Sequence, residues 1–208
     1  MDDRLKAIRQ AEAESHTKAY TSNTLFTPGS WLAKPVKTVV DILPLFEGYK
    51  KLRALDLGSG VGRNCIPAAQ HFKDIPCRVD CVDILDLAIE KLNENARQYD
   101  VAGNIQGIVS SIDDYEIKAD SYDLIMAISA LEHIASRAAF EKKLVEIRNG
   151  LRIGGVACLI VNSGVIEHDK ATGAMQRCRN SIWKIWRLLR TLSNWQMICP
   201  PASLIWSV

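Results

Sequence analysis

From residue 52 onward this 208-residue chain alternates short apolar runs with amphipathic stretches, and no other feature constrains its fold as strongly. The runs LRALDLG, RVDCVDI, NIQGIVS, YDLIMAIS and GGVACLIV read as strands. Between them, residues 62–72 and 86–98 read as helices, as does a later stretch with Phe140, Leu144 and Ile147 at helical spacing. Strands this uniformly apolar are buried on both faces, which requires a mostly parallel sheet covered by helices on each side. The expected class is therefore α/β with a doubly wound sheet. Ligands of such sheets bind beyond the carboxyl ends of the strands, so those ends are where function is written.

The flanks differ from this core. Residues 2–15 read as a helix with Asp2 and Asp3 at its positive end, followed by a Thr- and Ser-rich stretch to Trp31, and residues 1–34 together suit a lid. Pro35 suits the first turn of a helix carrying Val36, Val39, Val40 and Leu43, which Pro44 and Gly48 end. The core then runs over 35–168. A tail runs over 169–208; from residue 170 it holds six basic residues and no acidic one, leaving 20 basic against 24 acidic residues in the first 169. Four of the five tryptophans also lie in this tail. Within it, residues 175–192 fit a basic amphipathic helix, suited either to covering the sheet or to meeting an acidic partner or a membrane surface. Residues 195–199 and 203–208 suit two short closing strands around Pro200-Pro201, an abbreviated or altered hairpin.

At 48% hydrophobic and 24% charged residues the composition excludes disorder and collagen-like structure. The longest apolar run, Val156 to Val161, falls far short of the roughly 20 residues that span a bilayer. The start Met1-Asp2-Asp3-Arg4 is unlike a signal peptide, and six cysteines without a CxxC pair read as reduced buried thiols; a cytoplasmic protein is the expectation.

The strongest chemical signal is Asp56-Leu57-Gly58-Ser59-Gly60-Val61-Gly62-Arg63-Asn64, where the first strand turns into its helix. Glycines at every second position let backbone approach a ligand where a side chain would collide, and the free N–H groups of the helix start favour an anionic group. Arg63 stands where the dinucleotide fingerprint needs its third glycine, so a pyrophosphate is disfavoured. Asp56 places a carboxylate beside the loop, which repels phosphate and suits a cationic amino group. Asp83 ends the second strand, followed by Ile84, and a carboxylate there accepts hydrogen bonds from ribose hydroxyls. Together these favour an amino acid joined to a nucleoside.

With LDLGSGVGRN as first motif and CVDI as second, the chain resembles the class I S-adenosylmethionine-dependent methyltransferases over about residues 35–165. Gly62-Arg63-Asn64 resembles the tellurite-resistance-type and other small-molecule enzymes of that family. The resemblance implies a Rossmann-like sheet of seven strands with the last antiparallel. It also implies S-adenosyl-L-methionine as cofactor, S-adenosyl-L-homocysteine as product and a small-molecule substrate. By position in the family pattern, Ser111 replaces the acidic residue that meets the adenine amino group, Ile112 packs on the ring, and Asp113 is the alternative. The segment from Asp123 through Ser129 to His133 resembles the stretch passing the methionine portion, Ser129 among its cofactor contacts. No N-P-P-Y motif follows that strand, which argues against nucleic-acid and glutamine-amide substrates.

His133 stands at a strand end, where an imidazole can take a proton from a hydroxyl or amine; a helix cap fits the same position. Tyr20 is a second candidate for assisting a hydroxyl acceptor. Arg63 and Asn64 fit either the methionine carboxylate or capping roles. Gly150 suits a left-handed helix end. No histidine or cysteine spacing indicates a metal. Two other readings remain at this level: a cofactor-binding protein without turnover that works through its basic tail, and, less favoured, a nicotinamide-dependent oxidoreductase.

Overall fold

A computed structural model describes the backbone of residues 3–161 and the strand segments 166–168, 175–177, 196–197 and 204–207, with side chains over 9–161. Five strands, β1 (Leu52–Leu57), β2 (Cys77–Asp83), β3 (Ile105–Val109), β4 (Tyr122–Ile128) and β5 (Leu151–Ile160), pair in parallel in the spatial order β3-β2-β1-β4-β5. The short segments β6 (Ile166–His168) and β7 (Met175–Arg177) pair with each other as a separate ribbon. Beyond β5 the sheet continues with β9 (Leu204–Ser207), antiparallel to β5, and β8 (Gln196–Met197). The closing hairpin is thus present and short.

Alternation along each strand divides the core in two. Ala54, Leu124, Met126 and Cys158 face one layer, while Leu55, Leu57, Ile125, Ala127 and Leu159 face the other. The first layer is covered by α2 (Lys37–Ile42), α3 (Cys65–His71) and α4 (Asp86–Gln98), whose Ile66, Ala88 and Leu92 are buried there. The second is covered by α5 (Arg137–Gly150) through Leu144 and Ile147. Helix α4 carries Ala88, Leu92 and Ala96 at spacing four on its buried side and Asp86 in its first turn, so pattern and dipole agree. Ser136 starts α5 by accepting the Ala139 N–H at 3.1 Å.

At the amino edge of the sheet, the Asp123 carboxylate accepts from Arg53 N–H at 2.7 Å and from Arg152 Nη1 at 3.0 Å, stapling three strands together. The carboxyl edge is left to the loops. There the chain passes from β1 outward to β2 on one side and to β4 on the other, and the divergence opens a crevice.

Several expectations shift. The first helix, α1, runs over Asp3–Ser22, beyond residue 15, because its last turn is held by burial of Tyr20 and by Asn23 Nδ2 donating to Ala19 O at 2.8 Å. Tertiary packing here overrides the weak helix preference of Thr and Ser. The helix after the glycines starts at Cys65, since Gly62 is left-handed at φ +99° and still belongs to the loop. Pro35 lies ahead of α2, whose N-cap is Val36. Gly150 is not left-handed: a Cβ there would stand 2.4 Å from Ile117 Cγ2, so close packing is what requires glycine. The left-handed residue of this stretch is Gly154, in a bulge of β5 opposite Tyr122–Leu124. Met175–Arg177 is strand, so a helix over 175–192 cannot begin there; the remainder, 178–192, lies outside the described residues. No helix among the described residues is long and apolar enough to cross a membrane.

Candidate active site

The loop after β1 is a folded cradle. Gly58 and Ser59 N–H groups both donate to Val82 O, at 2.8 and 3.0 Å, which draws the loop over the end of β2. Gly58 is left-handed at φ +74°, and a Cβ on it would lie 2.4 Å from Ala130 Cβ. Gly60, at φ +52°, lies under Tyr20, whose hydroxyl would stand 2.7 Å from any Cβ placed there. Both positions need glycine for conformation and for space.

Asp83 locks this cradle. Its Oδ2 accepts the Gly60 N–H at 2.8 Å and its Oδ1 accepts the Leu85 N–H at 3.0 Å, so the carboxylate is aimed by backbone from both sides. It is 9% exposed and lines a cavity of about 200 Å³. Each oxygen keeps a lone-pair direction for a further donor.

Asp56 sits beneath the loop rather than in the cavity lining and is 1% exposed. Burial pushes its carboxyl up to about 7, against a hydrogen bond from the Cys65 thiol that lowers it and the Asp83 charge that raises it further. Its Oδ2 and the Ser59 Oγ are buried without a hydrogen-bond partner among the described residues. Two orphaned acceptors at a cradle that side chains would fill fit a ligand with donor groups.

The far wall comes from the β3–β4 loop and the end of β4. Ile84, Ser111 and Ile112 line the cavity, and the Ser111 hydroxyl is engaged by its neighbour, donating to Asp114 Oδ2 at 2.6 Å and accepting Asp114 N–H at 3.1 Å. Asp113 lines the cavity as well, its carboxylate accepting from Arg9 Nη2 at 2.8 Å and from the Ala135 N–H at 3.3 Å. Ser129 also lines the cavity and is left-handed at φ +52°, a conformation uncommon for a side-chain-bearing residue and held by its N–H donating to Ile160 O at 2.7 Å. His133 follows in a 3-10 turn, Leu131–His133, and opens onto the same space.

Helix α1 forms one wall of the cavity, and sequence reasoning missed its contribution apart from Tyr20. Arg9, Glu12, Ala13 and His16 line the cavity with Tyr20, and their spacing of three and four puts them on one helical face. That polar stripe was the available signal. Arg9 Nη2 lies 2.8 Å from Asp113 Oδ2, and Glu12 Oε2 lies 3.0 Å from His133 Nδ1. Tyr20 is 7% exposed, and burial together with the Asp83 charge holds its hydroxyl well above the ordinary phenol range, a neutral donor rather than a base.

Arg63 and Asn64 serve the same closure from outside the cavity. Arg63 Nε donates to Lys34 O at 2.7 Å with its guanidinium 5.5 Å from the centre of the Trp31 ring, while Asn64 Oδ1 accepts the Val36 N–H at 3.0 Å. They fasten the segment after α1 to the glycine loop. Gly62 makes room for Ile66 and Leu92 beneath the loop.

Residues 54–155 match the methyltransferase domain family. Among solved structures, an S-adenosylmethionine-dependent methyltransferase from Aquifex aeolicus superposes with a TM-score of 0.59 at 14% identity, covering 82% of this chain and 87% of that one. A protein from Listeria monocytogenes assigned to the same class gives 0.58 at 18%, covering 81% and 94%. The phosphoethanolamine N-methyltransferase 1 of Haemonchus contortus, solved with phosphoethanolamine and S-adenosylhomocysteine, gives 0.55 at 18%; it covers 80% of this chain, which spans only 36% of that enzyme. At such identities the likeness establishes the fold. Joined to the family match, it makes residues 54–155 a methyltransferase domain on a Rossmann-like fold, with the cradle and the carboxylate at its carboxyl edge.

Proposed function

We propose that the chain methylates a small-molecule nucleophile, in the manner of the tellurite-resistance-type and related enzymes, inside a cavity walled by α1. The observation that carries this reading is the Asp83 carboxylate, held by the Gly60 and Leu85 N–H groups and facing the cavity with acceptor capacity to spare. Asp83 takes the ribose hydroxyls; Ile84, Leu85 and Ile112 flank the adenine; Asp113 is the acceptor placed for its amino group. Gly58, Ser59, Gly60 and Ser129 hold the amino-acid portion, with the unpartnered Asp56 Oδ2 as an acceptor from below. When bound, S-adenosylmethionine supplies a sulfonium-activated methyl that the acceptor's lone pair takes as the carbon–sulfur bond breaks and leaves its electrons on sulfur.

What the protein adds is orientation and exclusion of water. Holding two reactants in attack geometry is worth about 7–11 kcal/mol, enough that no covalent protein intermediate is needed. His133 takes the proton of a hydroxyl or amine acceptor. The cavity of about 200 Å³ is small beside the roughly 300–1,000 Å³ of typical ligand sites, so α1 rides outward to admit the nucleoside and closes over it.

Calorimetric titration tests the reading. S-adenosylhomocysteine is expected to bind and NAD is not. Removing a charged hydrogen-bond acceptor costs about 1.5–3 kcal/mol, so Asp83→Ala should weaken S-adenosylhomocysteine roughly 10- to 100-fold. Binding of NAD in preference, or unchanged affinity in Asp83→Ala, contradicts it.

A further inference from the structure

Glu12 and His133 stand 121 residues apart, yet Glu12 Oε2 is 3.0 Å from His133 Nδ1, and both side chains line the cavity. An ionised carboxylate only accepts hydrogen bonds, so the neutral imidazole opposite it must carry its hydrogen on Nδ1. Nε2 is then the bare nitrogen, free to take a proton. An imidazole without such a partner ordinarily prefers the reverse arrangement, with hydrogen on Nε2, which cannot accept there.

The surroundings keep the pair in register. Arg9, one turn earlier on α1, donates to Asp113 Oδ2 at 2.8 Å and approaches the His133 carbonyl at 3.4 Å. Asp113 Oδ1 accepts the Ala135 N–H at 3.3 Å, and the His133 N–H donates to Ala130 O at 3.2 Å. The histidine is thus held on both sides of its own position in the chain, and α1 is fixed to the same segment that carries it.

We infer that Glu12 is the positioning residue of the reaction: α1, on closing, sets the His133 tautomer and so assembles the base, and the acceptor is a hydroxyl or an amine that has a proton to lose. This rests on the methyltransferase reading above. In the step, the acceptor O–H or N–H bond breaks, its electron pair stays on the acceptor for the new bond to carbon, and the proton passes to Nε2. The imidazolium so formed faces the Glu12 carboxylate, which stabilises it. A thiolate would need none of this.

Long-range proton–nitrogen NMR of the full chain at alkaline pH reads the tautomer directly, with the His133 ring assigned by its loss in His133→Gln. With saturating S-adenosylhomocysteine, the wild type is expected to show Nδ1–H. Glu12→Ala should revert to Nε2–H, and Glu12→Gln, which keeps a carbonyl acceptor at the same reach, should retain Nδ1–H. Arg9→Ala loosens α1 without touching Glu12 and should give a mixture, so the inference stays testable if Glu12→Ala folds poorly. Nε2–H in the wild type, or Nδ1–H persisting in Glu12→Ala, overturns it. Screening dithiothreitol, phenols and primary amines as acceptors tests the second half: turnover of the thiol alone contradicts it. Failure of the wild type to bind S-adenosylhomocysteine in the calorimeter would instead remove the cofactor reading, which the tautomer measurement does not touch.

Discussion

The two walls of the cavity are built differently. The floor, made by the glycine loop and Asp83, is buried backbone and carboxylate joined at 2.8 Å and packed on the sheet. The ceiling, α1, is joined through side chains that remain partly in water: Glu12 and His133 are each about two-fifths exposed, Arg9 and Asp113 about one-fifth. Polar side-chain contacts of that exposure contribute about 0–1 kcal/mol each. The floor is therefore organised before any ligand arrives, while the ceiling is held by contacts that thermal motion can open. An enzyme that must admit a nucleoside and then exclude water needs both properties.

The largest expected effect lies in the floor. Asp56 is buried with its carboxyl pushed up to about 7, whereas in the unfolded chain it titrates near 3.8. Between those values the folded state holds a proton that the unfolded state has lost, so this residue's contribution falls as pH rises from about 4 to 7 and then levels off. The full swing is on the order of 4 kcal/mol. Asp56→Asn cannot ionise, so chemical unfolding of the ligand-free protein should find the variant the more stable at pH 8, with the advantage gone near pH 4. Parallel stability curves would show that Asp56 is solvated and that the floor is not dry.

The ceiling should respond to gentler handling. Arg9→Ala, or raising salt from 50 to 500 mM, should speed hydrogen exchange along α1 several-fold, corresponding to about 1 kcal/mol or less. Exchange in β1 and β2 should not change. If both walls respond together, α1 is part of the core and the distinction between floor and ceiling fails.

The same contrast explains what could be read in the sequence. Strand and helix limits in the core came through because period-two and period-four burial is local: α4 spans the expected 86–98, and β1, β2 and β4 lie within a residue of the expected runs. The floor was legible for the same reason, since Asp56, Gly58, Gly60 and Asp83 occupy consecutive strand ends. The ceiling was not, because Arg9–Asp113 and Glu12–His133 join residues more than 100 apart, and nothing local to either partner announces the other. Ser111 shows a further limit. Its place in the cavity wall is as expected, but the neighbouring Asp114 captures its hydroxyl, a local contact that the family pattern does not announce. Nor did Gly150 follow its turn chemistry, because the crowding by Ile117 is a tertiary fact.

The most direct test is a crystal structure of the chain with S-adenosylhomocysteine. The ribose hydroxyls are expected within hydrogen-bond distance of the Asp83 carboxylate, with the Gly60 N–H still donating to it and α1 lying over the nucleoside. A nucleoside seated elsewhere, or a glycine loop that leaves Asp83 to receive it, would contradict the assignment of this floor as the cofactor site.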